Sequence, residues 1–322
     1  MDLQEAVSIS KRIHTNISEV IVGKEEVIEL LLSSLFGNGH VLLEDVPGTG
    51  KTLLAKALAR SLDGQFKRIQ FTPDLLPSDL SGINFYNQKT SEFEFRPGPV
   101  FTEVLLADEI NRATPRTQSS LLECMEERQV TIDGLTHELS SPFFVMATQN
   151  PVDNQGTFPL PEAQLDRFLM RIEVGYPTHE EGVDILQRFQ VKNPLEELIP
   201  VAAGAEVAAV QRFVAGISVS KDLLGYIVRI AEATRKHPDV RLGASPRAST
   251  ALMRAAQGIA LLQGRDYVTP DDIKRVAEPV LAHRLLVRHG LRPDDRQSDV
   301  IVRQVLGEVE VPAEDVLTGR GK

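Results

Sequence analysis

The chain has 322 residues, of which 42% are hydrophobic and 25% charged, enough to bury a substantial core and to divide into two domains. Its formal charge of −10 argues against a general polyanion-binding surface, because phosphate backbones are held mainly by clustered Lys and Arg. A single cysteine, Cys124, excludes an internal disulfide framework and any CxxC-type metal site, and reads as a small buried hydrophobe in a reducing compartment.

The N-terminus, "MDLQEAVSISKRIHTNISEVIV", has acids early and no continuous apolar core, unlike a signal peptide. The longest apolar runs are too short to span a bilayer, so a cytoplasmic location is expected, without a membrane span. Between residues 41 and 174, short apolar runs alternate with longer helical patterns, which predicts βα units and a largely parallel, buried sheet. The strand candidates are "HVLLE" (40–44), "FKRIQF" (66–71), "EVLLADE" (103–109), "FFVMAT" (143–148) and "LMRIEV" (169–174). Helices are predicted at Lys51 to Leu62 and at Arg116 to Glu127, among others. Two segments interrupt this rhythm. "GINFYNQKTSEFEF" (82–95) reads as a hairpin with Phe93 and Phe95 on one face, as core packing or as a client contact, and "QVTIDGLTHEL" (129–139) as a second hairpin turning at Asp133-Gly134. After "GYPTHEE" (175–181) helical periodicity takes over, which places a boundary between an α/β unit, 1–175, and a helical unit, 176–322. "TPDDIKRVAEPVLAHRL" there shows Thr269 as an N-cap, Pro270 at the first helical position and two acids in the first turn. From Leu291 to Lys322 the periodicity weakens.

"LLEDVPGTGKT" (42–52) carries the chemistry. A phosphate-binding loop needs inward backbone N–H groups, glycine where the chain passes close to phosphate, a Lys on the terminal phosphates and a hydroxyl on Mg²⁺. Gly48, Gly50, Lys51 and Thr52 meet these demands between a strand and a helix N-terminus, although Asp45 stands where the usual pattern opens with glycine. Asp45 has only to leave the strand while Pro47 presets the turn, and its carboxylate is expected to point away from the phosphates or to pair with a cation. "EVLLADE" ends in paired acids at the carboxyl end of a strand, where Asp108 can hold the Mg²⁺ shell and Glu109 can orient or deprotonate water. "FFVMAT" runs into Gln149-Asn150-Pro151, an amide able to bridge a γ-phosphate and water, or an ordinary Asn-Pro turn. Arg167 follows Asp166, which alone suggests a local ion pair. Arg247 is placed in a first helical turn after Ser245 and Pro246, where the macrodipole disfavours a cation. Something anionic must compensate it, and a nucleotide phosphate beneath the helical unit is the natural candidate.

The segments "VGKEEVIELLL", "LLEDVPGTGKT", "LLADEINRATPRTQSSLLECMEERQVTIDG", "ATQNPVDNQGTFPLPEAQLDRFLM" and "GASPRA" occur in the order found in the MoxR family of AAA+ ATPases, and the sequence resembles that family from Val22 to about His289. The resemblance implies a P-loop NTPase parallel sheet with a second, all-helical lid domain, binding ATP and Mg²⁺. It implies nucleotide contacts from Val22 and Gly23 near the adenine and from Pro47, Gly48, Thr49, Gly50, Lys51, Thr52 and Leu53, with Thr52 and Asp108 on the metal. Asp108 and Glu109 would be the Walker B pair, with Glu109 catalytic, Asn150 sensor 1, Arg167 an arginine finger reaching a neighbouring subunit, and Arg247 sensor 2. The 82–95 hairpin would be the helix-2 insert and 129–139 the pre-sensor-1 hairpin. The family implies a homo-oligomer, commonly a hexameric ring, that remodels or matures a protein client, often one carrying a von Willebrand factor A domain. Two other readings are a DNA-directed motor or transcriptional regulator, opposed by the net acidity, and a nucleotide-gated scaffold with little turnover, opposed by Glu109 and Arg167.

Overall fold

The computed structural model describes residues 1–44, 48–150, 156–191, 193–288 and 297–312. The predicted strands are all present: β1 (Val41–Glu44), β2 (Phe66–Gln70), then a hairpin of β3 (Gly82–Asn87) and β4 (Glu92–Pro97), β5 (Val104–Asp108), a second hairpin of β6 (Gln129–Ile132) and β7 (Leu135–Glu138), β8 (Phe144–Gln149) and β9 (Met170–Ile172). Five of them form one sheet in the order β2-β5-β8-β1-β9, every neighbouring pair parallel.

The mostly apolar character of β1, β5 and β8 follows from burial on both faces, whereas β2, "FKRIQ", is partly exposed. Val41 and Leu43 of β1, Val104 and Leu106 of β5 and Phe144 and Met146 of β8 point into one buried cluster. Their alternating neighbours Leu42, Leu105, Ala107, Val145 and Ala147 point into another. The second cluster is closed by Leu121, Leu122, Cys124 and Met125 of the helix Pro115–Glu127. Cys124 is thus core, and burial pushes its thiol up to about 12, with Glu123 adding to the shift, so it is inert at neutral pH.

The larger cluster joins the sheet to the helices Leu3–Ser18, Glu25–Phe36 and Lys51–Ser61 and to those of the second half, Gly204–Ala215, Lys221–Lys236, Pro246–Leu262 and Pro270–Leu281. The second half adds a short antiparallel ribbon, 240–242 with 286–287, to its helices. The last described helix, Gln297–Glu308, docks through buried Ile301, Val302 and Val305, and Asp299 pairs with Arg171 of β9 at 2.6 Å. Thr269 stands at the N-cap position as expected, and its backbone N–H and hydroxyl both donate to the Asp272 carboxylate, at 2.7 and 2.9 Å.

One close approach locks the N-terminal helices to the second half. Ser33 Oγ donates to Ala255 O at 2.8 Å, and a Cβ on Gly258 would lie 2.6 Å from that same Oγ and 2.7 Å from Ser33 O. Gly258→Ala gains about 1 kcal/mol of helix propensity but overpacks the contact by about 1–3 kcal/mol. The expected result is a lower midpoint in urea at unchanged slope; an equal or higher midpoint would show that the two helices can separate without cost.

The hairpins pack on each other. Asp133 and Gly134 both take positive φ, 49° and 81°, as an Asp-Gly two-residue turn requires. Asn84 Nδ2 donates to Asp133 Oδ2 at 2.9 Å, and Phe95 stacks on His137 with centroids 4.3 Å apart. Phe93 and Phe95 therefore differ: Phe95 also meets Phe101 and belongs to the packed base, whereas Phe93 lies nearer the tip, 74% exposed, with an edge contact to Tyr86.

Candidate functional site

Strand order decides what meets at the carboxyl edge of the sheet. β8 lies between β1 and β5, so the ends of β1, β8 and β5 stand side by side. β1 leads into Gly48 and Gly50, with φ of +88° and +89°, conformations that favour glycine. No atom beyond the adjoining residues lies within 4 Å of where a Cβ on either would sit, so the space beside both glycines is open. Gly50 starts the helix Lys51–Ser61, whose first-turn N–H groups and macrodipole face this opening. Lys51, Thr52 and Leu53 are half-buried at that N-terminus, Leu53 packed against the larger core cluster. The expectations for Asp45 and Pro47 lie outside the described residues.

At the end of β5, Asp108 is fixed from two sides. Thr148 Oγ1 of β8 donates to its Oδ1 at 2.5 Å, and Arg68 of β2 donates to its Oδ2 at 3.1 Å through Nε and at 2.6 Å through Nη2. The same Thr148 oxygen accepts the backbone N–H of Glu109 at 2.8 Å. Glu109 is held in the left-handed region, φ 56° and ψ 51°, which costs a non-glycine residue of the order of 1 kcal/mol and turns its side chain out of the strand line. Its carboxylate accepts from Gln70 Nε2 at 2.5 Å and pairs with Arg112 at 3.0 Å. Asp108 and Glu109 are thus tied to two neighbouring strands through Arg68, Gln70 and Thr148. None of these three has a sequence signature, since each matters only because β2 and β8 flank β5.

The residues fit a nucleotide with its metal. The space beside Gly48 and Gly50 is open, and a hydroxyl and a carboxylate, from Thr52 and Asp108, are hard-oxygen donors of the kind Mg²⁺ takes when phosphates and water complete its shell. Among the described residues no group of three or more His, Cys, Asp or Glu could hold a metal by itself. Asn150 follows β8 at the same edge, half-buried. The Val20–Lys24 turn lies there too: Lys24 donates to Tyr176 O at 3.0 Å and pairs with Glu181 at 3.8 Å, beyond the carboxyl end of β9. Gly23 has φ +68°, and a Cβ there would collide with the Glu181 side chain, a contact that brings the Val22–Gly23 segment against 176–181.

Arg167 and Arg247 are elsewhere. Arg167 precedes β9, whose Met170 pairs with Val41, the first residue of β1, so it stands at the amino edge of the sheet. Together with Arg247 and the 38–40 turn before β1 it lines a cleft of about 280 Å³. The local pair expected between Arg167 and Asp166 does not form. Asp166 instead accepts from Arg284 Nε at 2.7 Å and Ser245 Oγ at 3.2 Å, while Arg167 pairs with Glu126 at 3.0 Å. Ser245 caps the helix Pro246–Leu262 as expected, accepting the N–H of Ala248 at 3.1 Å. Arg247 also pairs with Glu126, and the P-loop of its own subunit lies at the far edge of the sheet. At the floor of the cleft His40 is neutral: burial and then Arg128 hold it well below the usual imidazole range, and its Nδ1 accepts from Val145 N–H at 3.0 Å.

A parallel sheet in this order, glycines at positive φ after β1 and paired acids on β5, across the intervening β8, make a P-loop nucleotide-binding core with a helical lid. Residues 40–170 match the model for the ATPase family associated with various cellular activities, and residues 232–305 match the AAA lid domain. YeaC of Bacillus subtilis is 52% identical, covering 93% of this chain and 93% of its own, and Chaperone MoxR1 of Mycobacterium tuberculosis is 42% identical, covering 98% and 87%. The crystal structure of a candidate ATPase from Cytophaga hutchinsonii superposes with a TM-score of 0.87 at 37% identity, covering 96% of this chain and 98% of that one. The chain belongs to the MoxR family of AAA+ ATPases.

Proposed function

We propose that the protein is a Mg²⁺-dependent ATPase that works as a ring of identical subunits, hexameric in the commonest arrangement of its class, and uses hydrolysis to remodel or mature a protein client. The observation that carries this reading is the separation of the two halves of the chemistry: the P-loop and the acids lie at the carboxyl edge of the sheet, the two arginines at the amino edge. Among the described residues, Arg68, Arg112 and Arg171 at that edge pair with Asp108, Glu109 and Glu44, so a second copy would supply the arginine for the transferring phosphoryl group.

In this mechanism Lys51 would bind the terminal phosphates, Thr52 and Asp108 would hold Mg²⁺, and the amides of Gly48 to Thr52 would cradle the phosphate oxygens. When bound, Mg²⁺ would supply neutralisation of phosphate charge. Glu109 orients water in line and takes its proton, and Asn150 holds the γ-phosphate and the water in register. Arg167 of one copy, with Arg247 beside it, would meet the phosphate of the next, while Val22, Gly23 and the 176–181 segment would flank the adenine. The units 1–175 and 176–322 would act as nucleotide-binding domain and lid.

The exposed Tyr86, Phe93 and Leu135 on the paired hairpins are the surface proposed for the client. The name of Chaperone MoxR1 supports a protein client; a partner with a von Willebrand factor A domain is the class favoured. No helix among the described residues is long and apolar enough to cross a membrane, and a cytoplasmic location is proposed. The test is phosphate release measured against protein concentration with and without Mg²⁺, alongside sedimentation. Turnover per subunit should rise with assembly and vanish with EDTA; a constant rate from a sedimenting monomer would refute the ring.

A further inference from the structure

Glu126 lies in the last turn of the helix Pro115–Glu127, where the macrodipole disfavours a carboxylate. Arg247 lies in the first turn of the helix Pro246–Leu262, where the macrodipole disfavours a cation. Each charge is badly placed on its own helix, and the two are joined to each other, with Arg167 as third member. The carboxylate divides evenly: Oε1 takes Arg247 and Oε2 takes Arg167 at 3.0 Å. Arg167 is held additionally by donation to Leu122 O at 3.0 Å.

The cluster is not core. Arg167, Arg247 and Glu126 keep 32%, 46% and 34% of their side-chain surface exposed, so an arriving anion can reach both guanidinium groups. Its supports are firmer. Asp166, adjacent to Arg167, ties Ser245 at the cap of the Arg247 helix to Arg284, which is 5% exposed and also donates to Leu169 O at 3.2 Å. Two arginines on separate elements are thereby brought to converge on one point, which Glu126 occupies with two oxygens, as an oxyanion would.

We propose that Glu126 is an internal restraint on the arginines: its carboxylate fills the position that the γ-phosphate of a second copy's nucleotide takes on assembly, and it must release Arg167 and Arg247 for turnover. This rests on the reading that Arg167 acts between subunits. The restraint is electrostatic as well as steric, because the cluster Arg167, Arg247 and Glu126 carries +1 rather than +2 toward an incoming triphosphate. Glu126 touches no reacting atom, and its role is to hold the arginines.

The experiment compares phosphate release against protein concentration for wild type, Glu126→Gln, Glu126→Met, Arg167→Ala and the double variant Glu126→Gln with Arg167→Ala. Loss of one charge-assisted pair corresponds to about a tenfold change in an equilibrium. Either single Glu126 variant should reach half-maximal turnover at about a tenth of the wild-type protein concentration, and the double variant, at the low turnover that Arg167→Ala leaves, should need as much protein as Arg167→Ala alone. Single Glu126 variants that fold, assemble and need as much protein as wild type, or more, would overturn the restraint and leave the intersubunit reading standing. A wild type whose turnover ignores protein concentration would overturn both. A purely structural Glu126 would show itself as a lower melting temperature without the leftward shift.

Discussion

Arg167→Ala is expected to lower ATP turnover by about 10³-fold or more while leaving ATP affinity nearly unchanged, since an arginine supplied to a transferring phosphoryl group is typically worth about 10³ to 10⁵ in rate. The reason is topological. Arg167 precedes the amino end of β9, which runs parallel to β1, so its side chain starts from the edge of the sheet opposite the P-loop. Truncating it removes nothing that a bound nucleotide touches in the same subunit. It also removes the ion pair with Glu126, but that pair is about one-third exposed, and such pairs contribute roughly 0–1 kcal/mol, too little to unfold the chain. A complementation test separates the in-trans role from a local one. Arg167→Ala subunits retain an intact P-loop and Lys51→Ala subunits retain an intact Arg167, so mixing two nearly inactive preparations should restore turnover at the mixed interfaces. If the mixture co-assembles and stays inactive, Arg167 does not act across an interface; if Arg167→Ala alone turns over normally, it does not act on phosphate.

The middle of the sheet was legible because β1, β5 and β8 announce themselves by short, mostly apolar runs such as "VLLAD" and "FVMAT", which burial on both faces requires. The turn at Asp133-Gly134 was legible for an equally local reason, the positive φ that both residues must adopt. What could not be read was adjacency. Thr148 reveals nothing as a threonine ending a strand; it becomes the joint between Asp108 and Glu109 only because β8 inserts between β1 and β5. Gln70 and Arg68 depend in the same way on β2 lying beside β5. The place of Arg247 in a first helical turn calls for an anion, but its pairing with Glu126 depends on packing between residues 121 apart, which no local pattern encodes. The split between Phe93 and Phe95 is of this kind too, since equal spacing on one face cannot tell the tip of a projecting hairpin from its base.

Glu109→Gln is expected to cut turnover by about 10²–10⁴-fold, the usual contribution of a positioned general base, with ATP affinity changed by less than about threefold. Glutamine preserves the length and shape of the side chain and keeps one carbonyl oxygen to accept from Gln70 and Arg112, so the geometry around the backbone N–H to Thr148 should survive. The fold should be affected little, because the strained φ of 56° at residue 109 is retained and no buried charge is left unpaired. What is lost is the basic carboxylate that takes a proton from water, a function the amide cannot perform. The arrested subunits would then accumulate in the ATP-bound state. Nucleotide affinity by fluorescence titration and single-turnover hydrolysis must be measured on the same preparation. A fall in affinity matching the fall in rate would make Glu109 a binding residue, and an unchanged single-turnover rate would move the chemistry to another base. If turnover alone falls, the residue joined to Gln70 and Arg112 is the one that activates water, and the arrested protein becomes the reagent for capturing whatever the exposed Tyr86, Phe93 and Leu135 hold.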